Sequence, residues 1–272
     1  MALCNLIVMP ARNFLDISGK KVYDEKKLQA KRGAFAPMKV SLVIPAYNES
    51  KIISDTLRAV CAKLAELAED YEVILVDDGS TDNTTGLAVS CRDSHVRLES
   101  YSPNRGKGRA VRTGMLAARG DIILCTDADL AYGVDVFGVM LDRFAASGAD
   151  LVIGSRHLDE EGYRNYPPLR VLMSKCFGLL SRRMSGLTYD TQCGIKGYRQ
   201  AAARQIFSRC ATDGFSFDFE VLMRAEKLGL KVEEIPVSVV NFRESKVNVV
   251  RDSLRMFRDV FRIRRAVGKD KP

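Results

Sequence analysis

The sequence runs to 272 residues with 46% hydrophobic residues and eight prolines, which suits a folded α/β chain with an ample core and excludes collagenous, repetitive or disordered classes. A formal net charge of +8 calls for a polyanionic partner, and nucleic acid, anionic lipid or a phosphate-bearing substrate would each serve. Seven cysteines, none spaced as CxxC, read as reduced thiols, and two histidines exclude a histidine-rich metal site.

Residues 1–37 carry Lys20-Lys21, Lys26-Lys27 and Lys31-Arg32 without strand alternation or a helical stripe. They read as a leader of uncertain order, with Met38 as an alternative start. The opening Met1–Met9 stretch lacks the basic start of a secretory signal. No apolar run approaches the ~20 residues needed to span a bilayer. The chain is therefore expected to be cytoplasmic, either soluble or peripheral on a membrane.

From Val40 onward, strand and helix signals alternate. Val40–Ile44, Val73–Val76, Val96–Glu99, Asp121–Cys125 and Asp150–Ile153 are short β-branched or apolar runs that predict strands. Ile52, Ile53, Thr56, Leu57, Val60, Leu64 and Leu67 recur at helical spacing, with Asn48 or Ser50 available as a cap. Apolar strands joined by amphipathic helices imply a mostly parallel, Rossmann-like sheet covered on both faces.

Each predicted strand runs into a polar or glycine-rich cluster: Pro45-Ala46-Tyr47-Asn48-Glu49, Asp77-Asp78-Gly79-Ser80, Asn104-Arg105-Gly106-Lys107-Gly108, Asp127-Ala128-Asp129 and Gly154-Ser155-Arg156. Ligands of open parallel sheets bind at the carboxyl ends of the strands, so the five clusters point to one site. Asp127 and Asp129 stand two apart in an extended segment and can face one point, which favours a hard cation such as Mg2+ or Mn2+. Taken alone, so short and common a pattern more often describes a solvated strand-end turn. Asp77 is suited to a nucleobase or ribose hydroxyl, whereas Ser80 and Asp82 read as a capped turn. The basic glycine loop 104–109, with Arg112, could bring amides and cations to a diphosphate, yet it is neither a Walker A loop nor GxGxxG.

Further along, Asp190-Thr191-Gln192-Cys193-Gly194-Ile195-Lys196 is a polar stretch between apolar neighbours. The aromatics of Phe215–Glu220 read as core, with Asp218 and Glu220 as acids in an apolar setting. Two basic amphipathic stretches suit an anionic membrane surface. One carries Leu169, Leu172, Met173, Cys176, Phe177 and Leu180, and the other Leu254, Phe257, Val260 and Phe261 amid Arg251, Arg255, Arg258, Arg262, Arg264 and Arg265. For the first, packing on the domain with solvated charges is an equal alternative.

In order and spacing, the motifs at 43–49, 76–80, 104–108 and 127–129 resemble the family 2 glycosyltransferases of GT-A fold. With Gly154-Ser155-Arg156, Asp190–Lys196 and Ser245-Lys246-Val247, the likeness narrows to the polyprenyl-phosphate sugar transferases, most closely the dolichyl-phosphate β-glucosyltransferases. It covers about residues 38–265. The resemblance implies a transferase domain at 38–245, with a nucleotide half (38–130) and an acceptor half (131–245), followed by a basic amphipathic segment at 246–272. It implies that Pro45, Tyr47, Glu49, Asp77 and Asp78 line the nucleotide and that Lys107 approaches its phosphates. Asp127 and Asp129 would hold Mg2+ or Mn2+, and Ser245 and Lys246 would close over the diphosphate. Arg156 and Lys196 would act as catalytic cations facing the acceptor phosphate.

The implied reaction is inverting transfer of a hexose, glucose from UDP-glucose favoured, to a polyprenyl monophosphate at the cytoplasmic face of a membrane. GDP-mannose as donor, and a saccharide hydroxyl as acceptor with Asp218 as base, are the alternatives. A nucleic-acid partner is not expected, because the basic residues do not alternate with aromatics as in a single-strand groove.

Overall fold

The computed structural model describes residues 38–159, 171, 178, 179, 182–241 and 249–270. Strands β1 (Lys39–Ala46), β2 (Asp70–Asp77), β3 (Val96–Ser100) and β4 (Ile122–Cys125) alternate with helices α1 (Ile53–Leu67), α2 (Thr84–Ser90) and α3 (Lys107–Ala117). Helix α4 (Val136–Ser147) leads to β5 (Leu151–Ser155), and Arg156–Leu158 add a single 3-10 turn. Then follow β6 (Lys196–Arg199), α5 (Gln200–Phe207), α6 (Phe217–Lys227), β7 (Val232–Pro236) and α7 (Val249–Lys269).

These strands form one seven-stranded sheet in the order β3-β2-β1-β4-β6-β5-β7. Six run parallel, while β6 is antiparallel to both its neighbours. The GT-A-like, mostly parallel α/β expectation is borne out. The five predicted strands are present, each within a few residues of its expected bounds. Strands β6 and β7 were not anticipated: each is short and broken by charge (Lys-Gly-Tyr-Arg; Val-Glu-Glu-Ile-Pro), which blurs any two-residue alternation.

Alternation along the central strands divides the core into two layers. Leu42 and Ile44 of β1 face α1 and α4, packing with Leu57, Leu64, Phe137 and Phe144. Val43, between them, faces the other way and joins Ile74 of β2 and Val111, Ile206, Phe219 and Val260 from α3, α5, α6 and α7. Helix α1 starts without the predicted cap: its N-cap position is Ile52, with no side-chain cap. Asn48 and Ser50 are engaged instead with the β2–α2 turn. The Asn48 Oδ1 accepts from Thr81 N at 2.8 Å, and Ser50 N donates to Asp82 Oδ2 at 3.1 Å.

The register of α7 also differs from the predicted stripe. Among the described side chains of α7, Val260, Ile263 and Val267 are the buried ones, and Phe261 stands 57% exposed. Clasps to α6 hold this register: Arg224 pairs with Asp270, and Lys227 Nζ donates to Val267 O at 2.5 Å. The stretch Leu169–Leu180 lies almost wholly outside the described residues, as do the leader 1–37 and residues 242–248.

Close approach of α3 to the sheet is set by Gly114, where a Cβ would sit 2.4 Å from Val43 Cγ1 and 2.9 Å from Val76 Cγ2. Gly114→Ala should therefore destabilise the chain. Overpacking of up to ~3 kcal/mol exceeds a helix-propensity gain of ~1 kcal/mol. Urea unfolding should show a net loss of about 2 kcal/mol with an unchanged m value.

Candidate active site

Six parallel strands end on one edge, and the antiparallel β6 begins on that same edge. Lys196, its first residue, is registered against Cys125 at the end of β4 and Ile153 of β5. A residue some seventy positions beyond the Asp127–Asp129 motif is thereby set beside it.

The loops after β1 and β2 are bound into one unit. Asn48 N donates to Ser80 Oγ at 2.9 Å, and Glu49 N donates to Thr84 Oγ1 at 2.8 Å. Asn48 takes φ 55, a left-handed conformation that asparagine tolerates better than most residues. Asp77, 4% exposed, accepts from Ser80 and from Thr85 Oγ1 at 3.0 Å. Asp78 is equally buried, and its oxygens accept from Arg105 N (2.8 Å), Gly106 N (2.9 Å) and Asn104 Nδ2 (2.8 Å). Its carboxylate is thus the anchor of the basic glycine loop. Tyr47 is 39% exposed at the same edge, with Pro45 and Glu49 half-buried beside it.

The anchored loop delivers Lys107 as the first residue of α3, and Lys107 Nζ lies 2.5 Å from Asp127 Oδ1. Burial works against the ammonium, but attraction by Asp127 and Asp218 outweighs it and raises the Lys107 pKa. The Asp127–Asp129 turn is fixed from behind: Thr56 Oγ1 of α1 donates to Ala128 O at 2.7 Å, entirely buried. Asn241 Nδ2 donates to Leu130 O at 3.0 Å, and Val240 N to Ala131 O at 2.9 Å. Gly194 packs against the carboxylate so closely that a Cβ would sit 2.4 Å from Asp127 Oδ2.

Burial, then repulsion from Asp127 and Glu49, raises the Asp129 carboxyl pKa, although Ala131 N donates to it at 3.1 Å. Carboxylates that disfavour one another's charge are what a divalent cation relieves. The donors are hard oxygens and suit Mg2+ or Mn2+. Among the described residues no group of three or more His, Cys, Asp or Glu converges on one point. A cation held by Asp127 and Asp129 would therefore keep coordination positions for ligand oxygens such as those of a diphosphate.

Arg156 and Lys196 each meet a carboxylate. Arg156, 5% exposed, makes a two-pronged pair with Asp190 through Nε and Nη2, both at 2.8 Å, and its backbone N adds a third bond. Lys196, 3% exposed, lies 2.7 Å from Asp218 Oδ1 and also donates to Cys193 O. Burial raises the Asp218 carboxyl pKa despite the two lysines nearby. Lys107, Lys196 and Asp218, with Cys125 and Gly194, line a cavity of about 10 Å³, room for roughly one water molecule. Asp190 and Asp218 carry this electrostatics. The sequence signal for Asp218 is an acid in an apolar setting, and for Asp190 a polar stretch between apolar neighbours. Ser245 and Lys246 lie outside the described residues.

The model for glycosyl transferase family 2 matches residues 41–207, which is more than half of the chain. The chain belongs to that family. Among its curated relatives, the dolichyl-phosphate beta-glucosyltransferase of Drosophila melanogaster is 34% identical over 242 residues, 83% of this chain and 74% of the relative. That of Saccharomyces cerevisiae is 34% identical over 254 residues, covering 84% and 74%. That of Homo sapiens is 32% identical over 247 residues, covering 83% and 74%. Among solved structures, glucosyl-3-phosphoglycerate synthase from Mycobacterium tuberculosis, crystallised with Mn2+, UDP-glucose and phosphoglyceric acid, aligns with TM-score 0.65. It shares 19% identity and covers 92% of this chain and 86% of that one, a likeness of fold. The resemblance drawn from the motifs is borne out at the level of the family and of its dolichyl-phosphate group.

Within this family 2 transferase, the Arg156–Asp190 pair makes an acid-stability test. Burial would push the Asp190 carboxyl up, but Arg156 wins and holds it at about 2. A depressed folded pKa stabilises the fold above the unfolded value of ~3.9, and that stability is lost as pH falls through about 2. Asp190→Asn should cost about 3–5 kcal/mol at pH 6. In urea titrations the gap between wild type and variant should narrow by about 2 kcal/mol between pH 5 and pH 2.

Proposed function

We propose that the chain transfers glucose from UDP-glucose to dolichyl phosphate, with inversion at the anomeric carbon, at a membrane surface. The observation that carries the reading is the meeting of Lys107, at the start of α3, with the Asp127–Asp129 pair at the end of β4. It supplies cations and helix-end amides where a diphosphate must leave. The named relatives support glucose over mannose and dolichyl phosphate over a saccharide hydroxyl.

In this reading Pro45, Tyr47, Glu49 and Asp77 line the base and ribose, and Asp78 acts through the loop it anchors. Lys107 moves its charge from Asp127 toward the departing β-phosphate. Asp127 and Asp129 would hold Mg2+ or Mn2+, which would supply charge neutralisation for a leaving diphosphate. The nucleophile is a phosphate oxygen already ionised near neutral pH, so no side chain must take a proton from it. That requirement agrees with Asp218, whose Oδ1 receives the Lys196 ammonium. Lys196 and Arg156, each with its carboxylate, contribute positive potential at the acceptor end.

Supporting a membrane surface as partner, α7 turns Arg255, Arg258, Arg262, Arg265 and Lys269 outward together with Phe261. Basic side chains around an exposed aromatic suit an anionic lipid interface. Among the described residues no helix is long and apolar enough to cross a membrane.

Radiolabelled UDP-glucose and dolichyl phosphate should give a labelled glycolipid that GDP-mannose does not. Asp127→Asn and Asp129→Asn should each lower the rate by a factor on the order of 100 or more. Full activity in either variant, or in excess chelator, would refute the metal assignment. In flotation on phosphatidylserine vesicles, the triple variant Arg258→Glu, Phe261→Ala, Arg265→Glu should lose binding by about tenfold or more, at ~1 kcal/mol per basic residue. Equal recovery would count against a membrane role for α7.

A further inference from the structure

Glu220 is 2% exposed on α6, within a hydrophobic layer. Its carboxylate accepts four kinds of N–H: Ala211 N at 3.1 Å, Thr212 N at 2.8 Å, Arg224 Nε at 2.9 Å and Arg224 Nη2 at 2.7 Å. Two of these belong to the backbone of residues 210–214, a strap without regular structure whose amides need an acceptor once buried.

The strap lies directly against the loop that carries Lys107. At Gly106, with φ +109, a Cβ would sit 2.5 Å from Asp213 O. At Gly108 it would sit 2.4 Å from Thr212 O and 2.9 Å from Gly214 O. Strap carbonyls thus fill the places where side chains would otherwise stand on both sides of Lys107. Arg109 N also donates to Asp213 O at 3.2 Å. From α3, Arg112 clasps the strap through Cys210 O at 2.6 Å and Asp213 Oδ1 at 3.2 Å. Asp78 anchors one side of the basic loop, and the strap forms the wall on the other.

We propose that Glu220 is a positioning residue for donor binding: by holding the strap at Ala211 and Thr212, it sets the backbone of Gly106–Gly108 and so the reach of Lys107. The proposal rests on the reading that this loop receives the nucleotide's diphosphate. A carboxylate is required because it accepts on every side. A glutamine must turn its NH2 toward either the strap amides or Arg224, and one set of donors loses its acceptor. The bland alternative is an ion pair that merely stabilises α6.

Calorimetric titration with UDP in Mn2+ separates the two. Glu220→Gln should bind UDP about tenfold more weakly than wild type, and in the transfer assay the KM for UDP-glucose should rise while the KM for dolichyl phosphate holds. Leu64→Ala, on the opposite face of the sheet, serves as a control that lowers the melting temperature without touching the strap. If Glu220→Gln melts lower yet binds UDP within twofold of wild type, as the control does, the positioning role is overturned. Should Glu220→Gln fail to fold, Arg224→Lys keeps the charge but loses the two-pronged grip. It should weaken UDP binding about threefold, and unchanged binding there also overturns the role. Wild type that binds GDP but not UDP refutes the proposed donor, and the same comparison is then made with GDP. Binding of neither nucleotide overturns both.

Discussion

One reversal of chain direction governs the active edge. In a wholly parallel sheet, the start of a strand lies at the edge opposite the ligand site, and a cation there would be far from the chemistry. Strand β6 enters between β4 and β5 in the opposite sense. Its first residue, Lys196, therefore lies beside Cys125, two residues before Asp127. The stretch preceding β6 arrives with it: Gly194 packs against Asp127, and Asp190 receives Arg156.

The charges at this edge are arranged in opposed pairs. Lys107 with Asp127, Lys196 with Asp218 and Arg156 with Asp190 each place a cation on a carboxylate with little water between. Burying any one of these groups alone would be costly, and pairing makes the cluster tolerable. It also makes the charges transferable. In the proposed reaction Asp127 would hold the metal, and Lys107 would then meet a phosphate in place of its carboxylate, with small net change in buried charge. Asp129 differs, a carboxyl whose pKa is raised by burial and by Asp127.

Rigidity comes from outside the charged groups. Thr56 from α1 and Asn241 from beyond β7 hold the backbone on either side of Asp129, while Asp78 and the 210–214 strap hold the basic loop. Contributions from such distant segments explain why the site is precise although most of its members stand on loops. Helix α7 closes the same layer through Val260, Ile263 and Val267, leaving a basic outer face around Phe261.

What the sequence alone determined was local: the five parallel strands, the helix after β1, and the clusters at the strand ends. Apolar periodicity and short motifs are properties of neighbouring residues, and the ordered set of motifs was sufficient to indicate the family. Tertiary structure decided the partners. That Asp78 anchors residues 104–106, that Asn48 braces the β2 turn instead of capping α1, and that Asp190 and Asp218 answer Arg156 and Lys196 all depend on contacts across 22 to 34 positions of chain. The stripe of α7 expected on a membrane surface is divided for the same reason, Val260 being buried and Phe261 exposed. Its apolar residues occupy more than one side, and only the packing surface of α6 and its neighbours selects Val260, Ile263 and Val267 over Phe261.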